Sequence, residues 1–409
     1  MRIGLYDPYL STLGGGENVL AVLAEVLERR FPDATLDLIV HRDEGVTPAD
    51  LGERFGVALR QSRLRVVPSP RSWLDPALRL DLARRLVHEA QLSRLSGEYD
   101  LFVNNTIFST LPCRAPRSLF VCMFPLDPGG RDLAAGSPRR ALRKLNAYLR
   151  RAYFARSART YSAVIANSEF TRSWISRLWG VEARVLYPPV EIQPRFDPAA
   201  KTHRILSVGR FFPGEHNKKH LPMIETFVRL QDAGHLAGWE FHLVGSITPV
   251  PGARAYAEEL VARAAGYPVH FHFDASAGEL AGLLRASSLF WHATGLGEDS
   301  AAQPEKLEHF GISTIEAMSH GCVPIVIAMG GQPEIVRHGV DGLLWEDLAG
   351  LAEQTLMLAA DADRRGALAR AAFERSLAFG RDAFEATALD ILATLGYDAP
   401  RPSVPVVVS

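Results

Sequence analysis

Short apolar runs alternate with amphipathic stretches of helical period along most of the chain, and no other feature constrains the fold as strongly. Runs of about four to eight residues separated by helical segments are typical of parallel strands covered by helices. The runs form two series on either side of segment 187–195, whose prolines can continue neither a helix nor a central strand. The sequence therefore predicts an α/β protein with two parallel sheets, one on each side of this linker.

The predicted strands occupy both halves of the chain. Those of the first series cover residues 3–6, 35–40, 101–103, 118–124 and 164–166, and those of the second cover 205–208, 240–244, 269–273, 289–292, 323–328 and 343–345. A length of 409 residues, 47% of them hydrophobic, suffices for two cores of ordinary size. The proline-containing tail at 401–405 is expected to be extended and loosely held.

Composition excludes several functional classes. The formal net charge of -1 provides no general attraction to nucleic acid. Cys113, Cys122 and Cys322 lie in or beside apolar runs, which favours buried reduced thiols over disulfides or a metal site. The sequence contains neither a leader-like start nor an apolar run of about 18 residues. We therefore expect a cytoplasmic protein that does not cross a membrane.

Two glutamates eight positions apart, Glu308 and Glu316, flank a loop that enters a short helix. Ser313 is the predicted N-cap of this helix, and Gly321 is the residue predicted to stop it. The backbone N–H groups of 310–313 would face an anion such as a phosphate, favoured also by the helix dipole. Glu316 lies one helical turn further on, where its carboxylate could accept both hydroxyls of a ribose.

A second glycine-rich turn follows directly. The apolar strand 323–328 leads into Gly330 and Gly331, and Pro333 then falls in the first turn of another helix. Two such strand-to-helix turns, side by side, are typical of a phosphate-binding site.

These motifs resemble the donor site of glycosyltransferase family 4. The similarity runs from Glu308 through Gly342 and extends to 166–171, 186–190 and 208–212, so that it covers most of the chain. It implies a retaining enzyme of the GT-B fold, in which two Rossmann-like parallel-sheet domains face each other across a cleft. Residues 1–190 would then bind the acceptor and residues 196–379 the nucleotide-sugar donor, with a last helix at about 380–395 returning to the first domain.

The resemblance also implies roles for individual residues. Arg210 follows the first strand of the second series, at the end where parallel sheets bind ligands, and Lys218 follows in the same loop. Both are predicted to bind the donor diphosphate in place of a metal ion, with Lys219 as the alternative lysine. Glu308 is predicted to orient the transferred sugar. These catalytic residues would be supported by donor-binding residues, namely Gly15, Gly16, Lys219, His309, Phe310, Gly311, Ile312 and Glu316.

The glycine-rich turn near the start of the chain is a weak match to a dinucleotide-binding fingerprint. Val19 stands in place of the third glycine, and Asp37 falls inside the second predicted strand rather than at its end. In the family that the chain resembles, this turn faces the donor across the cleft.

One departure concerns the strand-end motif in which many relatives carry a histidine. Here the position is Met123, which cannot hydrogen-bond to the transferred sugar in the same way. Either the sugar is held differently, or Asn104 or Asn105 supplies the contact. His292, at another strand end, could also touch a ligand, although a lone histidine there is more often structural.

Two further features have open interpretations. His270 and His272 alternate along one predicted strand, but no third ligand lies close by in sequence, so they are interpreted as structural and no metal site is predicted. Segment 139–159 is basic, lacks acidic residues and is amphipathic. It is either a helix that packs on the core with a solvated outer face, which is favoured, or a peripheral contact with the inner face of an anionic membrane.

The resemblance thus implies a retaining, metal-independent hexosyltransferase without a cofactor. The donor would be a nucleoside diphosphate sugar, GDP-mannose or a UDP-sugar, and the acceptor a hydroxyl of a glycan or lipid-linked glycan. The alternatives are a non-catalytic sugar-nucleotide-binding protein, a GT-B epimerase or phosphorylase, and an NAD-dependent oxidoreductase. The base, the sugar and the acceptor stay open.

Overall fold

The computed structural model describes residues 1–68, 81–106, 109, 111–125, 139–214 and 217–397. Within the described helices, the side chains of 81–86, 139–147 and 150 are outside the description. The tail at 401–405, which the sequence predicts to be extended, also lies outside the described residues.

The first half of the chain forms a parallel sheet covered by helices. Its strands are β1 (Arg2–Tyr6), β2 (Thr35–Val40), β3 (Ser62–Val66), β4 (Leu101–Asn104), β5 (Arg117–Cys122), β6 (Ala163–Ala166) and β7 (Arg184–Val185). They lie in the order β3-β2-β1-β4-β5-β6-β7, and every neighbouring pair is parallel. The helices are α1 (Gly15–Arg30), α2 (Pro48–Phe55), α3 (Asp81–Ser96), α4 (Arg139–Ala158) and α5 (Glu169–Trp179).

The second half repeats this architecture. Its strands are β8 (Thr202–Val208), β9 (Glu240–Gly245), β10 (Val269–Phe273), β11 (Ser287–His292), β12 (Val323–Ile327) and β13 (Leu343–Trp345), in the parallel order β10-β9-β8-β11-β12-β13. The helices are α6 (His220–Asp232), α7 (Ala253–Arg263), α8 (Ala277–Ala286), α9 (Ile312–Ser319), α10 (Gln332–Ile335), α11 (Leu348–Ala360), α12 (Ala362–Ser376) and α13 (Arg381–Thr394). The predicted fold class, two Rossmann-like parallel-sheet domains, is confirmed.

Every predicted strand is present, with ends shifted by a few residues, but the sequence did not predict β3 and β7. Strand β3 reads as polar because Arg63 and Arg65 project from it toward Asp37 on β2. Strand β7 is only two residues long. Both are edge strands, which need less apolar surface than central ones.

Apolar side chains pack on both faces of each sheet. On one face of the first sheet, α1 packs with α13, so that Phe384 and Ile391 of the last helix share a core with Leu20. In the second domain, Phe227 of α6 packs on one face and Ile315 of α9 on the other. The last helix of the chain therefore packs against the first domain.

Two features of the sequence can be placed directly. Cys113, Cys122 and Cys322 are buried, and none of them forms a disulfide. Among the helices of the described ranges, none combines the length and the apolar character that crossing a bilayer requires.

Candidate active site

Glu308 lies in the loop between β11 and α9 and is held by side chains from two other elements. The Nζ of Lys218, in the loop after β8, is 2.6 Å from its Oε2. The Nε2 of His292, the last residue of β11, is 3.1 Å from the same oxygen. The structure thus brings together two residues predicted to be catalytic, Lys218 and Glu308, and adds a histidine at the same carboxylate oxygen.

The hydrogen bonds around His292 fix which ring nitrogen carries the proton. The Oε1 of Gln332 accepts a hydrogen bond from Thr314 Oγ1 at 3.0 Å, so its Nε2, 3.4 Å from His292 Nδ1, donates to the ring. Nε2 of His292 then carries the proton, and this N–H donates a hydrogen bond to Oε2 of Glu308. Because His292 is buried, its pKa lies below the usual range, and the ring is neutral near pH 7.

The start of α9 has the geometry of an anion site. Helix α9 begins at Ile312 with Gly311 as its N-cap, so the prediction of Ser313 as N-cap was wrong. Gly311 has a φ of 124° there, and a Cβ would lie 2.6 Å from Gln332 Nε2. Only glycine opens the helix in this way without strain. The N–H groups of Ile312 and Ser313, the first two helical residues, have no intrahelical acceptor and are therefore available to an anion, whereas Thr314 N–H donates to the carbonyl oxygen of Gly311 at 3.0 Å.

The second glycine turn lies directly beside this helix start. Gly331 N donates to the carbonyl oxygen of Glu308 at 2.7 Å. Gly330 has a φ of 63°, and a Cβ would lie 2.2 Å from that same oxygen. The two predicted strand-to-helix turns are therefore in backbone contact.

Glu316 lies one turn into α9 and is half-buried. Burial raises the pKa of its carboxyl to about 7, and the charges of Arg54 on α2 and Glu191 in the linker act on it in opposite directions. Its neighbours from both sides thus place Glu316 at the groove between the two domains.

The glycine turn of the first domain lies against the start of α9. A Cβ on Gly15 would approach Ile312 Cδ1 to 2.9 Å, and one on Gly16 would lie 3.5 Å from Met123 Cε. The amide nitrogen of Asn105 holds this turn through the carbonyl oxygen of Gly16 at 3.0 Å. The predicted donor-binding glycines and Ile312 therefore meet across the groove.

Asp7 is a candidate that sequence reasoning missed. It directly follows β1, is buried, and accepts a hydrogen bond from Asn105 Nδ2 at 2.7 Å. Burial and the nearby charge of Glu17 raise the pKa of its carboxyl to about 7. Its position at the carboxyl end of the first strand was the available signal, since parallel sheets bind ligands at that end.

Asn104, the other asparagine proposed to replace the missing histidine, is engaged by protein. Its amide nitrogen donates to Tyr161 Oη and Ser109 Oγ, both at 2.8 Å. The amide nitrogens of both asparagines are thus used to hold protein groups.

The aromatic side chains beside Glu308 pack on protein rings. His309 stacks on Phe124 of the first domain, with ring centroids 4.1 Å apart and planes inclined by 9°. Phe310 is buried against Tyr187, with centroids 5.3 Å apart. His309 thus joins the two domains and Phe310 packs on the linker, so a ligand beside these two residues would meet mainly their backbone.

Lys219 contacts a different carboxylate, and Arg210 forms no ion pair with Glu308 in the described structure. Lys219 Nζ is 2.7 Å from Glu298 Oε1, and Lys306 contacts the same carboxylate at 3.3 Å. They line a cavity of about 430 Å³. Arg210 is exposed at the end of β8, and no ion pair holds it among the described residues. Of the two neighbouring lysines, the structure brings Lys218 to Glu308.

Two Rossmann-like parallel-sheet domains, joined by a short linker and with a helix start and carboxylates between them, have the architecture of GT-B glycosyltransferases. The chain belongs to glycosyltransferase family 4. Residues 13–194 match the family described as "Glycosyltransferase Family 4", and residues 202–361 match "Glycosyl transferases group 1".

Two curated relatives are similar in sequence over most of the chain. The GDP-Man:Man(3)GlcNAc(2)-PP-Dol alpha-1,2-mannosyltransferase of Neurospora crassa is 23% identical over 409 residues, covering 83% of this chain and 69% of that protein. The human alpha-1,3/1,6-mannosyltransferase ALG2 is 26% identical over 290 residues, covering 61% of this chain and 62% of that protein. The chain therefore spans about two thirds of the length of each.

Solved structures show the same fold at lower identity. Sucrose-phosphate synthase from Thermosynechococcus elongatus superposes with a TM-score of 0.69 at 18% identity, covering 97% of this chain and 99% of that one. Anabaena HepE in complex with UDP and glucose superposes with a TM-score of 0.64 at 19% identity, covering 96% and 100%. These similarities establish the fold.

Proposed function

We propose that this glycosyltransferase is a retaining, metal-independent enzyme that transfers a hexose from a nucleoside diphosphate sugar to a hydroxyl of a glycan or lipid-linked glycan. The observation that carries the proposal is the contact of Lys218 and His292 with Glu308, directly before the start of α9. It combines a cation, an oriented carboxylate and backbone donors at one place in the groove.

The donor would bind with its diphosphate at the start of α9. Backbone N–H groups there, together with Lys218 and the exposed Arg210, supply fixed positive charge where a metal ion would otherwise be needed. Glu316, one turn further on, would accept the ribose hydroxyls. Gly15 and Gly16 would let the first domain approach the donor closely, because they carry no side chain.

The transfer would proceed on one face of the sugar. The bond between the anomeric carbon and the diphosphate oxygen breaks, and the acceptor oxygen bonds to that carbon from the same side. The acceptor proton passes to an oxygen of the departing diphosphate. Lys218 and Arg210 stabilise the charge of this leaving group, while Glu308, held by His292, orients the sugar.

Mannose is the proposed sugar and GDP the proposed nucleotide. Both curated relatives are mannosyltransferases by name, and GDP-Man is the donor named for the Neurospora protein. A UDP-sugar is the second candidate, since HepE binds UDP. The lipid-linked acceptor named for the Neurospora protein supports the same acceptor class here.

The surface of α4 supports a peripheral membrane contact. Tyr148 and Leu149 are 68% and 57% exposed, whereas Phe154 on the same helix is buried in the core. Arg156 is exposed near its end, and the side chains of Arg139, Arg140, Arg143, Lys144 and Arg150 lie outside the described residues. Apolar and basic groups together favour an anionic bilayer surface, on the cytoplasmic side. Sedimentation with anionic vesicles, but not with neutral ones, tests this contact.

An oxidoreductase function is disfavoured by Asp37. This residue, needed at a strand end to bind a ribose in a dinucleotide site, lies inside β2 and is buried. Its oxygens accept hydrogen bonds from Arg63 Nε at 2.6 Å and Tyr99 Oη at 2.8 Å. Asp37 therefore has a structural role in holding β3 and Tyr99 against β2.

The experiment is a thermal-shift panel of nucleotide sugars followed by transfer assays with and without EDTA. GDP-mannose should give the largest shift, turnover should survive EDTA, and NMR should show a product with the anomeric configuration of the donor.

Glu316→Ala should weaken nucleotide binding, whereas Arg210→Ala should lower turnover more than affinity. An inverted product would refute retention, and donor consumption without an acceptor would favour an epimerase.

A further inference from the structure

Four polar side chains lie side by side on one face of the second sheet, at its edge. Glu240 and His242 belong to β9, and His270 and His272 belong to the edge strand β10. His270 lies opposite His242 in the strand register. Since residues two apart in a strand share a face, all four side chains project to the same side. Glu240, His242 and His270 lie within the first three residues of their strands, away from the carboxyl ends where the candidate active site is found.

The spacing of these side chains suits a metal ion. One ligand atom from each of Glu240, His242 and His270 lies within 4.8 Å of the other two. Nε2 of His242 is 3.1 Å from Oε2 of Glu240. Two ligand atoms on a tetrahedral zinc ion lie about 3.3 Å apart, because each bond measures about 2.0–2.1 Å. His270 is exposed, so its ring can rotate toward the other two ligands.

The groups that contact the proposed ligands are also suited to a metal site. Nδ1 of His242 lies 2.9 Å from Nε2 of His272, and a metal-bound histidine commonly donates its other ring N–H to an acceptor. With Nδ1–H donating to His272, the lone pair on Nε2 of His242 faces Glu240. Arg204 Nε donates to Glu240 Oε2 at 2.8 Å and orients that carboxylate.

We propose that Glu240, His242 and His270 bind a transition-metal ion such as Zn²⁺, separate from the site of sugar transfer. Imidazole and carboxylate ligands suit zinc, copper and nickel, and a water would complete the coordination. An ion held from two strands would fasten β10 to β9. The sequence predicted no metal here because the ligands missing beside His270 come from the neighbouring strand, not from nearby in the chain.

The test uses the full chain after EDTA treatment and dialysis. Calorimetric titration with ZnCl₂ should show one ion bound per chain, and Co²⁺ in its place should give the visible absorption of a four-coordinate complex. His270→Ala, which changes an exposed side chain, should weaken zinc binding at least tenfold. His242→Gln, which keeps a buried hydrogen-bonding group, should do the same. His235→Ala, an exposed histidine outside the cluster, is the matched control and should bind zinc like the wild type.

Several outcomes would overturn the proposal. They are the absence of saturable zinc binding to the wild type, and equal binding by the His270→Ala and His235→Ala variants. Because zinc titration needs no donor, this test is independent of the proposed sugar transfer.

Discussion

Lys218 and Glu308 form an ion pair that joins the loop after β8 to the loop before α9, with Nζ 2.6 Å from Oε2. The next residue, Lys219, forms an ion pair of similar length with Glu298, with Nζ 2.7 Å from Oε1. The side chains are also similarly exposed, 20% for Lys218 and 22% for Lys219. The two lysines therefore differ in the carboxylate they contact rather than in their exposure.

This pair provides the first prediction. Lys218→Ala should lower kcat by about 100-fold or more, because a fixed charge at the leaving group is lost. Lys219→Ala, the matched control, should change kcat by less than about threefold and leave the Glu308 network intact. Steady-state kinetics with saturating donor measures both. A larger loss for Lys219→Ala would assign the diphosphate to the Glu298 cavity.

His292 is predicted to act as a positioning residue for Glu308. His292→Leu removes the donor to Glu308 at similar volume and should lower kcat about tenfold or more, with a smaller change in the KM for the donor. His292→Gln keeps an N–H donor and should recover part of that loss. A merely structural role would instead make the two variants equal in kcat while both lose thermal stability.

Much of the fold could be predicted because buried central strands appear in the sequence as runs of apolar residues. Strand β12 is buried along its whole length and reads as an uninterrupted apolar run. Strand β3 does not form such a run, because its arginines contact Asp37 on β2. A contact between two strands cannot be seen in the sequence of one strand alone. Local sequence thus predicts central strands better than edge strands.

The candidate site was predictable in its backbone and less so in its side-chain pairing. Glycines and a proline at the strand ends indicated two turns, both of which are present. The N-cap was misassigned because a serine is usually the better cap, whereas here Gly311 adopts a positive φ beside Gln332. The bonds of His292 to Glu308 and Gln332 join residues that are distant in sequence, so no local pattern indicated them.

The pH dependence of stability provides a third prediction. Burial raises the pKa of Glu316 from 4.5 to about 7. Below about pH 4 both folded and unfolded chains hold this proton, so the shift costs nothing there. Between about pH 4.5 and 7 the unfolded chain has released the proton while the folded chain still holds it, so the free energy of unfolding falls across this window and levels off above it.

Glu316→Gln removes this titration. At pH 8 it should raise the free energy of unfolding by on the order of 1 kcal/mol, and at pH 4 it should have little effect. Urea denaturation at both values measures the difference. Glu353→Gln, at an exposed glutamate on α11, is the control and should behave alike at both. A gain for Glu316→Gln that is equal at pH 4 and pH 8 would contradict the assignment.

Glu334 connects the two domains, and its removal is the fourth prediction. From α10 of the second domain, its carboxylate accepts hydrogen bonds from the backbone N–H groups of Glu169 at 2.7 Å and Phe170 at 3.2 Å, at the start of α5 in the first domain. A carboxylate at a helix start both caps the helix and favours its dipole. Burial raises the pKa of Glu334, so the contact is made at a desolvation cost.

Glu334→Ala should therefore loosen the contact between the two domains. We expect a larger radius of gyration by small-angle scattering and a loss of about 1–2 kcal/mol in the free energy of unfolding, since two N–H groups lose their acceptor. Glu353→Ala, which removes an exposed carboxylate from the same domain, should change neither quantity. If Glu334→Ala lowered stability without expanding the chain, Glu334 would cap α5 without controlling how the domains close. If donor binding then restored the wild-type radius, the groove would be shown to close around the nucleotide sugar.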